Sequence, residues 1–194
     1  MIKIESTMRG NNRGLLLALL AVIVITGIYA LVSSQTQAIP PAGSLFGHLI
    51  GVTGFILMLM TESLYTLRKR SRLARWGRMS EWLQFHIFTG IVGPYMVLLH
   101  TSWKFNGLAG TSLALTLIVV LSGFVGRYIY TRIPRTVDSV ELESDSGSVQ
   151  ATLLAKTRRA FAIWHAIHIP LGLVLFTVSF THIIAALYYA TLLK

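Results

Sequence analysis

Residues 86–100 read HIFTGIVGPYMVLLH and residues 168–182 read HIPLGLVLFTVSFTH. Both stretches are apolar and both follow H-x3-G-x9-H, through His86, Gly90 and His100 in the first and His168, Gly172 and His182 in the second. Fourteen residues at about 100° each bring a helix back to within about 40° of its starting face, and the rise sets the two histidines about 21 Å apart. Each stretch therefore reads as a helix with two imidazoles on one stripe, one near each surface of a membrane.

Working outward, three further apolar stretches join these two. The expected spans are about 14–33, 45–65, 82–105, 108–130 and 161–187, each long enough for about 30 Å of hydrocarbon. The fold class read from this pattern is all-α integral membrane, a five-transmembrane-helix bundle forming one domain over 1–194. Pro40 and Pro41 break the chain between the first two spans, and Asn106-Gly107 marks a turn between the third and fourth. The first span follows Arg9 and Arg13 as a signal peptide would, but its apolar core exceeds a usual h-region, so it reads as an uncleaved span.

Composition agrees: 54% of the 194 residues are hydrophobic, 12% are charged, and mean hydropathy is +0.65. The absence of cysteine excludes disulfides, iron–sulfur clusters and covalent c-type haem attachment. Net charge is +10, and its placement explains it. Of the 17 Lys and Arg residues, all but Lys104 and Lys194 fall on one side of the five spans, including the run from Arg68 to Arg78 and the group Lys156, Arg158 and Arg159. The positive-inside rule then puts the N-terminus and both long loops in the cytoplasm and the C-terminus outside, as in a bacterial inner membrane. Topology accounts for the charge, and no nucleic-acid partner is needed. The loop over 135–160 gathers Asp138, Glu141, Glu143 and Asp145 and reads as a solvated linker, with a short helix over 149–159 leading into the fifth span.

Ionisable side chains within a span are costly and point to function. The third and fifth spans run in the same direction. His86 lies eight residues after Arg78 and His168 nine after Arg159, so charge anchors independent of the spacing place His86 and His168 at one depth and His100 and His182 at another. Two facing imidazoles at each of two depths are the axial donor set of two stacked haems b, an inner one on His86 and His168 and an outer one on His100 and His182. Zinc fits less well, because imidazoles about 21 Å apart cannot share an ion and no carboxylate or thiolate completes a shell. Gly90 and Gly172, one turn beyond the inner histidines, leave clearance for a macrocycle, or else let helices pack closely. His165 lies 17 residues before His182, about 100° off a shared face, which favours His168 as the ligand and leaves His165 as a propionate or quinone partner or an alternative ligand. His48, with no fourteen-residue companion, reads as a contact for a quinone or the outer propionates, or as an interfacial polar residue. Arg127 and Arg132 suit inner haem propionates or simple membrane anchoring.

The stretch HIFTGIVGPYMVLLHTSWK, from His86 to Lys104, resembles the third span of the ferric reductase and NADPH oxidase transmembrane domains. The resemblance runs over roughly 48–189 and rests on His86, His100, His168 and His182. It implies a helical bundle with two bis-histidine haems b that moves electrons across the membrane. Those reductases add flavin and nicotinamide domains, whereas this sequence contains no G-x-G-x-x-G fingerprint. The expected electron partners are therefore a quinone or quinol and other redox protein subunits, with membrane lipid around the spans; the alternatives are a haem-free membrane anchor and a ferric or other metal reductase core fed by a separate flavoprotein.

Overall fold

The computed structural model describes residues 12–70, 78–142 and 147–192. They form five helices: α1 (Arg13–Thr36), α2 (Leu45–Arg70), α3 (Met79–His100), α4 (Gly107–Leu142) and α5 (Gly147–Leu192). All five are long and apolar enough to cross a membrane, with apolar lengths Arg13–Thr36, Leu45–Leu64, Ser80–His100, Gly107–Ile129 and Ala155–Tyr189. The chain is a multi-pass, all-α membrane protein. A helix satisfies most of its backbone polar groups internally, which is what hydrocarbon demands of a spanning segment. Leu16, Leu20, Ile23, Val24, Ile28 and Leu31 of α1 are all more than half exposed, an arrangement that suits lipid and would be a liability in water.

The helix ends have local causes. Gln37, in the left-handed region at φ 51°, closes α1, and its side-chain amide donates to Ser34 O at 2.6 Å. Ser44 caps α2, its hydroxyl oxygen accepting from Gly47 N–H at 3.1 Å. At the start of α3 the Arg78 N–H donates to the Glu81 carboxylate at 3.3 Å. The third span was expected to run to residue 105, but α3 stops at His100. Beyond it Ser102 and Trp103 take positive φ values of 50° and 62°, unfavourable for residues with a Cβ. The Ser102 hydroxyl holds this turn by donating to Pro40 O at 2.6 Å. The stretch 135–160, expected to be mainly a linker, is helical up to Leu142 and again from Gly147. Lys3, Arg9, Arg72, Arg75, Glu143 and Asp145, used above for topology or loop charge, lie outside the described residues.

The chain divides into two compact units, Met1–Phe105 and Asn106–Lys194. In the first, α2 and α3 run antiparallel in close contact: Gly54 and Gly93 face each other, and a Cβ on either would lie 2.9 Å from the other's carbonyl oxygen. Helix α1 lies along α3, with Gly14 N–H donating to Gln84 Oε1 at 2.8 Å and the Thr26 and Tyr95 hydroxyls hydrogen-bonded. Ala18, Ile50, Met58, Thr89, Val92 and Leu99 form the buried core of this unit. The second unit is an antiparallel hairpin of α4 and α5, with Ser112, Leu113, Thr116 and Leu175 buried. Gly126 of α4 receives the Trp164 indole of α5, where an added Cβ would overlap the ring.

Candidate functional site

In the first unit the two histidines of α3 are held from α2. His86 Nδ1 lies 3.1 Å from Thr61 O, and His100 Nδ1 lies 2.8 Å from Gly47 O. Thr61 and Gly47 are themselves fourteen residues apart, so α2 presents two carbonyls at the spacing of the two imidazoles, in reverse order. A carbonyl oxygen only accepts, which requires the proton of each neutral ring to sit on Nδ1 and leaves the lone pair on Nε2. Such an Nδ1–H···O=C bond is how proteins orient a histidine that ligates metal through Nε2. The Thr61 hydroxyl reinforces the inner position, bonding the Thr89 hydroxyl at 2.7 Å and Leu57 O at 2.8 Å.

His100 is also seated sterically. A Cβ at Gly51 would lie 2.6, 2.7 and 2.9 Å from its Nδ1, Cγ and Cε1, so the ring lies against α2 where α2 has no side chain. The His48 ring stands edge-on to it at 6.4 Å between centroids. His48 is exposed, and its Nδ1 lies 3.0 Å from Ser44 O. His48 thus stands beside His100, one turn of α2 from the Gly51 notch.

In the second unit His168 Nδ1 lies 3.1 Å from Ser122 Oγ on α4. The His168 ring stacks on Trp164 at 4.8 Å and 24°, and the His165 ring stacks on the same indole at 5.7 Å and 6°. Trp164 Nε1 donates to Ser122 O at 2.7 Å. His165 and His168 thus belong to one aromatic cluster with Phe161, whose ring is 5.8 Å from His165. His182, two helical repeats of seven beyond His168 on α5, is half-buried.

The remaining candidates distribute as follows. A Cβ on Gly90 would make only an ordinary 3.4 Å contact with Thr61 Cγ2, so this glycine faces α2. Gly172 is buried on α5. Arg127 is half-buried, next to the Gly126 notch, while the side chain of Arg132 lies outside those described. Among the described residues no three His, Cys, Asp or Glu side chains gather as a metal site. Gly47, Gly51, Thr61, Ser122 and Trp164 were not singled out from sequence. Only the 47-to-61 spacing carried any signal, and it is weak, because every residue has a carbonyl.

No protein-family model, curated protein or solved structure matches this chain.

Proposed function

We propose that the chain is a membrane electron carrier holding two haems b, with His86 and His168 assigned as ligands of the inner one and His100 and His182 as ligands of the outer one. The observation that carries this reading is the pair of Nδ1 contacts to Thr61 O and Gly47 O. Two imidazoles fourteen residues apart, each with its lone pair directed to Nε2, are a donor set suited to axial ligation of iron. The partners on α5 are assigned from the repeated spacing and the matching charge anchors. Haem, when bound, supplies the one-electron change at iron. The chain supplies the ligands, fixes their tautomer and orientation, and keeps the rings in an apolar surround that raises the weight of every local dipole.

The electron donor and acceptor in this reading are a quinone or quinol and other redox subunits, in a bacterial inner membrane with the N-terminus cytoplasmic. Arg127, Arg132, His165 and His48 are assigned from the sequence as partners for propionates or a quinone; His48 stands beside His100, and His165 stacks on the Trp164 that also stacks on His168. The rival reading is a haem-free anchor in which the same imidazole–carbonyl bonds serve helix packing. A pyridine haemochrome assay with protein quantitation on the purified full chain separates the two. About two haems b per chain supports the carrier, on the basis of two axial histidines per iron; no haem above background refutes it.

A further inference from the structure

Thr61 and Gly47 hold their histidines through backbone carbonyls, which a side-chain substitution leaves in place. Ser122 is different, because its contact with His168 Nδ1 is made by the hydroxyl. The same residue's carbonyl accepts from Trp164 Nε1, and the indole stacks on His168, so Ser122 touches both rings of the stacked pair. Gly123 follows it and leaves His168 room, with an added Cβ 3.9 Å from Cε1. Gly126 then receives the indole. The run Ser122, Gly123 and Gly126 is a seat on α4 for Trp164 and His168 together.

A hydroxyl donates or accepts, whereas a carbonyl only accepts. If Ser122 Oγ donates to Nδ1, the ring proton lies on Nε2 and that nitrogen cannot bind iron. If Oγ accepts from Nδ1–H, the lone pair is on Nε2 and the ring becomes a stronger electron donor. We propose that Ser122 is the positioning residue for His168, holding it in the Nδ1–H tautomer and lowering the potential of the inner haem by accepting that hydrogen bond. This inference rests on the haem-carrier reading, and it makes Ser122 the adjustable partner among the three described here.

The test uses the full chain with Ser122→Ala and Ser122→Thr, the second keeping a hydroxyl. Redox titration of the haem bands should show one of two waves moving to higher potential in Ser122→Ala, or that haem lost, with the other wave unmoved. Ser122→Thr should restore the wild-type wave. Both waves unmoved in Ser122→Ala, or Ser122→Thr behaving as Ser122→Ala, overturns the role of Ser122 and leaves the carrier reading intact. A wild-type chain that binds no haem refutes the carrier reading instead. The tautomer is then read from histidine side-chain 15N spectra of the apo chain: His168 as Nδ1–H in wild type and displaced in Ser122→Ala supports the positioning role, and no difference overturns it.

Discussion

Gly51→Ala puts a new methyl group directly against the ring of a candidate ligand, His100. The new methyl carbon would stand 2.6–2.9 Å from three atoms of the His100 ring, against about 3.5–4.0 Å for a relaxed contact. Gly51 and Gly47 lie one turn apart on α2, so a ring pushed off Gly51 also leaves the Gly47 carbonyl. A retreat of roughly 0.9 Å stretches the 2.8 Å Nδ1···O contact beyond hydrogen-bond range. The lost bond costs about 0.5–1.5 kcal/mol, and overpacking a close-packed site about 1–3 kcal/mol. A combined penalty of about 1.5–4.5 kcal/mol corresponds to a roughly 10- to 2000-fold smaller population with the ring in place. The assay is haem b per chain together with thermal unfolding in detergent, with Gly27→Ala on α1 as the control, since nothing lies within 4 Å of a Cβ there. Gly51→Ala should melt earlier and lose one haem of two, while Gly27→Ala keeps both. A Gly51→Ala chain with wild-type melting and undiminished haem would refute the argument that the notch sets the ring.

The other expectations are more direct. His100→Ala or His182→Ala should remove one haem and spare the other, His86→Ala or His168→Ala should do the reverse, and His165→Ala or His48→Gln should keep both; difference spectra of the reduced proteins decide each case. Thr61→Val deletes the 2.7 Å bond to Thr89 but leaves the Thr61 carbonyl, so melting should fall by the equivalent of about 0.5–1.5 kcal/mol while the spectrum stays unchanged. A changed spectrum would mean that the hydroxyl, and not the carbonyl, holds His86. Gly126→Ala forces the Trp164 indole from its notch and should cost at least as much as overpacking usually does, about 1–3 kcal/mol, read as earlier melting.

The spans were legible in the sequence because hydrocarbon imposes a length and a composition that few other environments share. Their ends were less so. The stop of α3 at His100 depends on a contact between Ser102 and Pro40, 62 residues away, which no local pattern announces. The helical course of 135–142 was hidden by acidic, Ser- and Gly-containing composition that is equally common in linkers, whereas the helix expected over 149–159 is part of α5. The histidines stood out because imidazole is rare and costly in a span, whereas their holders are two backbone carbonyls and a serine, groups that occur everywhere. Gly51 and Gly126 matter through what stands opposite them, which one sequence cannot reveal.

The hairpin layout also bears on biogenesis. Helix α2 precedes α3 in the chain, and α4 precedes α5, so a nascent chain meets the surface that orients a histidine before it makes the histidine itself. Once α3 has paired with α2, both of its imidazoles are pinned by groups already synthesised. The two Nδ1 contacts at these positions need no group from α4 or α5. A truncation ending after Phe105 keeps the Thr61 and Gly47 carbonyls that hold His86 and His100, so a defect in ring orientation that appears only after α4 and α5 are made has its origin in the later helices.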